Sequence, residues 1–458
     1  MRDRYYPSYH FRPEKNWMND PNGLIWWEGL YHMFYQYNPF GDRWGTIHWG
    51  HAVSKDLIHW KELPIALYPS QEEGEIHCYS GCAVEKDGIP YLFYTSVGEG
   101  EREPEYGAQQ WSAVSNDGMK TFRKLGKPAI PQSLHEGEKM SMWRDPFLWK
   151  EEEGWFAVLG GSSKGKGCLW LYRSRDLVHW EYLNRMFETE AYWLTECPNM
   201  IPFEGGTYLL LYSPLDAVRY CVGKLDRKNW SFQAERTGIF DHSIEKKGFY
   251  APNTYLTDPK ERKIVIGWIS EADGLELKDR TGWAGMQSLP REVWLTDTGE
   301  VRVSPAKECE MLRKKRLLSW EDVKEAGKME CRSGSAEIVL SLEKGWSGAF
   351  EIWFFDSGDG QEFTRLFYAQ DGRGLVLDRL HSTLYEEPGK QELACPIEEG
   401  EEQEIRIYLD RSVAEIFVGQ KETITARIYP KLQESDRIRF SFSNGRSLRN
   451  LEVWELAL

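Results

Sequence analysis

The chain has no run approaching the roughly 20 consecutive apolar residues that a membrane-spanning helix requires, so a helical membrane protein is excluded. Its first residues (MRDRYYPSYHFRPEKNW) carry charge but no apolar core, and no secretory signal is expected. No CxxC pair occurs among the eight cysteines, at 78, 82, 168, 197, 221, 309, 331 and 395. Scattered cysteines without a leader point to reduced thiols in a cytoplasm rather than a disulfide framework. Cys78 and Cys82 stand too far apart on an extended strand to bridge, and read as packing residues. A basic footprint is missing as well: the formal net charge is −15, which argues against nucleic acid and serves solubility. What the chain does have is aromatic surface. Trp, Tyr and Phe make up 14% of 458 residues, with 21 Trp. Trp and Tyr present flat apolar faces with polar tips, which suit sugar rings as well as cores.

Three acidic residues sit in unusual company. Asp20 lies in 17–23 (WMNDPNG), Asp145 in 143–146 (WRDP) and Glu196 in 193–199 (WLTECPN). Each has a Trp two or three positions before it and a Pro one or two after. Pro21 fixes its own φ and pushes Asp20 toward the extended region, and Asn22-Gly23 supplies turn chemistry. A single such motif could be a strand-entry turn with an incidental Asp. Three of them, far apart in sequence, imply loops or strand ends that converge on one pocket.

The first 300 residues repeat. SKDLIHW (54–60) returns as SRDLVHW (174–180), with weaker copies at SNDGMKTF (115–122) and KLDRKNW (224–230). The Asp residues at 56, 117, 176 and 226 follow one another at steps of 61, 59 and 50. An alternating apolar run precedes each copy and a short strand-like segment follows it. Strand, Asp-turn, aromatic, strand is the signature of a β-propeller blade. The repeated Asp residues are expected to accept backbone hydrogen bonds in the turn, a structural role. Four copies and an unmatched segment from 250 to 303, with strands at 263–270 (KIVIGWIS) and 291–296 (REVWLT), give five blades.

Beyond residue 306 the character changes. Residues 307–330 are charge-rich and read as a partly helical connector, and 331–458 carries short alternating runs at β-sandwich spacing. The expected fold is therefore all-β: a propeller over 1–306, a connector, and a C-terminal sandwich.

Competing motifs fail on context. Residues 160–166 (GGSSKGK) resemble a phosphate loop, but Gly167 stands where Ser or Thr should be and a strand follows, so a hairpin turn is expected. His48 and His51 would point to opposite faces of a strand and lack a third ligand, so no metal is expected.

Two carboxylates in opposite protonation states suffice to cleave a glycosidic bond with retention. Asp20, wedged among Asn19, Asn22 and backbone groups, is expected to be held ionised by hydrogen bonds. Glu196, beside Trp193, Leu194 and Cys197, is expected to be kept protonated by apolar neighbours and nearby negative charge. Arg144 and Asp145, adjacent on a strand, should face opposite ways, leaving Arg144 to serve another carboxylate or a substrate oxygen.

Taken together the motifs resemble glycoside hydrolase family 32, the invertase and fructan-hydrolase family, over nearly the whole chain. The likeness rests on HFRPEKNWMNDPNGL (10–24), its continuation through 31–60, CYSG (78–81), WRDP, TECPN (195–199), FYAPN (249–253) and GWAGMQSLPRE (282–292), with LDRSVAEIFV (409–418) and RIYP (427–430) in the tail. The resemblance implies a five-bladed propeller joined to a β-sandwich and retaining hydrolysis of terminal β-D-fructofuranosides, without a cofactor. It implies Asp20 as nucleophile, Glu196 as acid/base and Asp145 as transition-state stabiliser, with Asn19, Gln36, Trp44, Tyr79, Ser80, Arg144 and Trp268 lining the fructose subsite. Retention would set the Asp20 and Glu196 carboxyls about 5–5.5 Å apart. Two departures bear on substrate preference. Tyr79 stands in place of the usual Phe, and EEGEIH (72–77) lacks the usual Asp-Gly entry. Left open are a fructosyltransferase using the same residues, a non-catalytic sugar-binding propeller, and the arabinan- and xylan-cleaving propellers. The partner is a small carbohydrate, with sucrose, its 6-phosphate and short fructans all possible, and the sandwich offers a surface for homo-oligomerisation.

Overall fold

The computed structural model describes residues 3–98, 108–135, 138, 140–244, 248–271, 282–326, 329–369, 371–386, 390–443 and 448–458. Five antiparallel sheets follow one another in chain order and form the blades of a propeller. Their innermost strands are Asn16–Trp27, Glu75–Lys86, Ser141–Glu151, Glu196–Pro202 and Phe249–Tyr255. The fifth blade also lends a short strand, Trp283–Ala284, which pairs in parallel with Asn16 and Trp17 of the first. First and last blades are thereby joined. The inner strands are buried along most of their length because both faces lie between neighbouring blades, although they carry polar residues such as Asn19, Asp20, Arg144 and Asn253.

The repeated Asp residues lie in the turns between third and fourth strands. Asp56 accepts the backbone N–H groups of Ile58 and His59 at 3.0 and 2.8 Å, and Asp176 those of Val178 and His179 at 2.9 and 2.8 Å. Asp117 and Asp226 do the same in the weaker copies. The GGSSKGK stretch is a β-hairpin whose turn residues, Lys164 and Gly165, both have positive φ (51° and 77°). His51 is buried and shares a 3.0 Å hydrogen bond with His32.

The C-terminal module is two six-stranded sheets enclosing an apolar core built from Ile338, Leu340, Ile352, Phe354, Ile407 and Ile416 among others. One correction to the sequence reading arises here. Within 307–330, Arg313–Ser319 is an edge strand of one of these sheets, paired with Leu448–Leu456, and only Trp320–Ala326 is α-helical. A strand so rich in charge escapes a hydrophobic pattern because only its end, Leu318, reaches the core.

The sandwich packs one sheet face directly on the propeller. Tyr408, Phe417 and Leu456 join Val293, Val301 and Phe249 in a shared cluster. A fully buried ionic network crosses the same boundary. Arg291 of the fifth blade binds Asp241 at 2.8 Å and Glu415 of the sandwich at 2.6 Å. His10 bridges Asp410 and Glu415 at 2.9 Å each. Burial opposes a charge on His10, but its two carboxylate partners outweigh it and push the imidazole up to about 9.

Candidate active site

Every inner strand carries a β-bulge at the same depth. Met18 and Pro21 oppose Tyr37 and Tyr35, so three steps on one strand match two on the other. The same mismatch recurs between Cys78 and Gly81, Arg144 and Phe147, Glu196 and Asn199, and Tyr250 and Asn253. Five bulges therefore ring the propeller axis, and each turns aside side chains that a regular strand would alternate between faces. The prolines fit because a bulged residue owes no hydrogen bond to the ladder. Gly81 is required in its bulge: a Cβ there would lie 1.9 Å from the Phe93 carbonyl oxygen.

The ring assembles the acids. Arg144, Glu196 and Tyr250 open the bulges of three successive blades and bond in that order. The Arg144 guanidinium pairs with Glu196 Oε1, and Tyr250 donates to Glu196 Oε2 at 2.5 Å. Asp145 and Cys197 follow in two of those bulges, with φ of 61° and 45°. The Cys197 N–H donates to Asp145 Oδ2 at 3.0 Å. Its thiol lies 3.5 Å from that oxygen and 3.6 Å from Oδ2 of Asp20. Asp20 is held from the other side. Ser80 Oγ donates to its Oδ2 at 2.6 Å, Gln36 Nε2 to the same oxygen at 3.2 Å, and Asn19 Nδ2 to its Oδ1 at 3.1 Å. Asn19 is fixed in turn by Trp17, Gln36 and, through its carbonyl, Gln287.

Burial dominates the electrostatics. It raises the Asp145 carboxyl to about 7 despite Arg144, with Glu196 and Asp20 adding repulsion. Asp20 is raised also: burial and the charge of Glu196 outweigh the bonds from Ser80, Asn19 and Cys197. Hydrogen bonding alone therefore does not set Asp20, contrary to the sequence expectation. The immediate partners of Glu196 are Arg144 and Tyr250, whereas Trp193 is half exposed. The opposite-faces expectation for Arg144 and Asp145 also fails, since the bulge brings Nε and Oδ2 to 3.8 Å on one side.

Below the acids the axis is closed. Asn22, Asn199 and Asn253 bond across blades to Gly81, Pro252 and Gly81 respectively, leaving a residual void of about 10 Å³. A separate cavity of about 410 Å³ lies past this floor, lined by residues such as Trp149, Lys150 and Lys263 and by none of the three acids. Access to the acids is from the loop side. There Trp44 is half exposed and meets Tyr79 edge-on at 6.3 Å. Trp268 packs edge-on to Trp17 at 5.8 Å, and its buried indole N–H has no partner among the described residues.

The structure thus gathers all ten expected residues at one mouth. Asn19, Gln36 and Ser80 grip Asp20 itself. Tyr250, and Cys197 as a partner of Asp20 and Asp145, are contacts that no expectation named, although both lie in motifs (TECPN and FYAPN) that carried the resemblance. Their signal was positional: they fill the bulge sites that Arg144, Asp145 and Glu196 fill in neighbouring blades.

A propeller whose bulges focus three carboxylates and a guanidinium beside exposed aromatic rings defines a carbohydrate-cleaving enzyme. Family models place the rest. Residues 10–305 match the glycosyl hydrolases family 32 N-terminal domain, and 308–455 match the family 32 C-terminal domain. The chain belongs to this family and is a fructosyl-releasing glycoside hydrolase. A sucrose-6-phosphate hydrolase of Zymomonas mobilis is 32% identical over 94% of this chain and 88% of its own length. Among solved structures, a Bombyx mori β-fructofuranosidase mutant in complex with sucrose is 28% identical, with a TM-score of 0.82, covering 99% of this chain and 94% of that one. Fructan 1-exohydrolase IIa of Cichorium intybus, as a mutant in complex with 1-kestose, is 26% identical, with a TM-score of 0.84, covering 100% and 98%.

Proposed function

We propose that this protein hydrolyses terminal β-D-fructofuranosides of sucrose and short fructo-oligosaccharides with retention, using Asp20 as nucleophile, Glu196 as acid/base and Asp145 as stabiliser. The convergence of the three carboxylates around Arg144 and Cys197 carries this reading. In the first step the Asp20 carboxylate attacks the anomeric C2 while Glu196 gives its proton to the glycosidic oxygen. The C2–O bond breaks with its electron pair on that oxygen, leaving a fructosyl ester and a free alcohol. In the second step Glu196 takes a proton from water, the oxygen of that water attacks C2, and Asp20 leaves as carboxylate.

The floor of interlocked asparagines supports action at chain ends, because a blind pocket admits a terminal unit and no more. Burial raises the Asp145 carboxyl to about 7, and fructosyl hydroxyls donating to it would favour its ionised form. The positive charge that develops on the sugar ring is met by Asp20 and Asp145. Asn19, Gln36 and Ser80 orient the nucleophile, while Trp44, Tyr79, Arg144 and Trp268 face the sugar.

Transfer of the fructosyl unit to a second sugar would use the same groups, and the ratio of free fructose to longer oligosaccharides from concentrated sucrose separates it from hydrolysis. Seven buried cysteine thiols that form no disulfide support a reducing cytoplasm. Association through the sandwich is decided by light scattering on the full chain. The central test is Glu196→Gln. A loss of about 10²- to 10⁴-fold in fructose release is expected, and a near-normal rate on sucrose refutes the acid/base assignment.

A further inference from the structure

The cavity of about 410 Å³ past the asparagine floor is built by the whole propeller. Leu24, Val84, Phe147, Pro202 and Thr254 line it from the inner strands of five different blades, each on the C-terminal side of that strand's site residues. It reaches the surface where Glu85, Lys150 and Thr257 are exposed. Its size falls within the roughly 300–1,000 Å³ of small-ligand pockets. The floor divides it from the sugar site: Asn253 lines the cavity and donates to the Gly81 carbonyl at 3.0 Å.

Its walls are apolar and its charge is one-sided. Val84, Phe147, Trp149, Trp155 and Leu256 supply the apolar surface. The hydroxyls of Thr254 and Thr257 are already bonded, to Asn199 and to the Trp26 backbone. The carboxylate in the lining, Glu85, accepts the Gly88 N–H of its own hairpin. Two ammonium groups remain, and neither forms an ion pair among the described residues. Lys150 lies over the Trp155 ring, 5.4 Å from its centroid. Lys263 is half-buried and has no hydrogen-bond partner for its ammonium among the described residues. Burial holds that ammonium below the ordinary lysine range, although Asp258 and Glu261 pull the other way. Asp258 is itself committed to Arg262 and Tyr31, at 3.0 and 2.7 Å. An ammonium drawn partly out of water without a counter-charge is destabilising, and an arriving anion offsets that cost. In a chain of net charge −15, two unpaired cations at one enclosed cavity are a local reversal of sign.

We propose that this cavity binds a small organic phosphate with a flat ring, its phosphate held by Lys150 and Lys263 and its ring set against Phe147, Trp149 and Trp155. A phosphate monoester carries nearly two negative charges at neutral pH, which matches two ammonium groups, and lysine meets it as a point charge. The strand ends and the Trp155 contact order the site before anything binds, which lowers the entropy cost of association. The site stands apart from the three acids, so its occupancy is independent of the fructosidase reading and needs no turnover to be seen.

The experiment is titration calorimetry of the full chain in phosphate-free buffer, with phenyl phosphate as the probe and phenol and inorganic phosphate as its two halves. Phenyl phosphate should bind saturably and more tightly than either half. The Lys150→Gln/Lys263→Gln double variant should weaken it about tenfold or more, because two charge-assisted contacts are lost. Arg144→Gln should leave the affinity unchanged; a loss there would place the phosphate at the mouth with the acids and overturn the assignment. No saturable heat at millimolar phenyl phosphate, or equal affinity in the lysine variant, overturns it as well. Inorganic phosphate binding as tightly as its phenyl ester overturns the ring contacts. Circular dichroism checks that the double variant folds. Where it does not, Lys150→Gln alone, at an exposed position, decides the matter by the same loss of affinity on a smaller scale.

Discussion

Arg144 and Asp145 are adjacent in the chain, yet their charged ends lie on one side of the strand, 3.8 Å apart from Nε to Oδ2. The cause is local: Asp145 has φ of 61° inside a bulge, which cancels the alternation of a regular strand. Arg144 is thereby free to reach Glu196 in the next blade while staying beside Asp145.

Removing that guanidinium should hurt turnover more than folding. Arg144→Gln leaves two buried carboxylates without their cation and is expected to lower kcat/KM about 10²- to 10³-fold. Arg144→Lys should recover only a small part, because one ammonium cannot serve both acids. Steady-state fructose release with circular dichroism on each variant checks this. A fully active lysine variant would show that charge alone, not the forked geometry, is what the site uses.

The acid limb of the pH profile offers a second handle. Ser80 donates to Asp20 Oδ2 at 2.6 Å and opposes the upward push of burial on that carboxyl. Ser80→Ala removes the bond that favours the ionised form. Asp20 should then ionise at higher pH, and the acid limb of kcat/KM should move alkaline. A profile that only drops in height, without a shift, would mean that Asp20 does not govern this limb.

How much of this could be read from residues alone differs by level. The blade count was legible because the Asp-turn repeats, and Asp56 and Asp176 are followed by the same HW pair. The three acids were legible because each carries Trp and Pro neighbours. Their electrostatics were not. Hydrogen bonds to Asp20 can be guessed from Asn19 and Ser80, but the burial that overrides them is a property of five packed blades. The edge strand at Arg313–Ser319 was missed for a related reason: it pairs through backbone while pointing charged side chains outward.

The junction between propeller and sandwich should be pH-dependent through His10. Its imidazole is raised to about 9 from an ordinary 6.5 by Asp410 and Glu415. The folded state therefore binds the proton more tightly than the unfolded chain. That stabilisation is complete below about pH 6.5 and lost as pH rises through about 9, amounting to about 3 kcal/mol. Denaturant titrations at pH 6 and pH 10 should show His10→Asn far less stable than wild type at the lower pH, with the gap narrowing at the higher. A gap independent of pH would show that the bonds matter but the charge does not.

Stability at Asp145 should fall with rising pH as at His10, but substitution there should stabilise rather than destabilise. Its carboxyl is raised to about 7, chiefly by burial, so ionising it costs the folded state energy that the unfolded chain does not spend. Stability contributed by this position falls as pH rises from about 4 to about 7. Asp145→Asn, nearly isosteric and never charged, should thus be about as stable as wild type at pH 3.5 and more stable at pH 7.5, by up to about 4 kcal/mol on the same linkage. On the stabiliser role proposed for Asp145 it should also lose most fructose release, the charge that strains the fold then being the one that meets the positive sugar in the transition state. Thermal unfolding at the two pH values, run beside turnover on sucrose, measures both sides of that exchange. A variant less stable at pH 7.5 would mean that the Cys197 N–H and Arg144 hold the ionised carboxylate more strongly than burial opposes it.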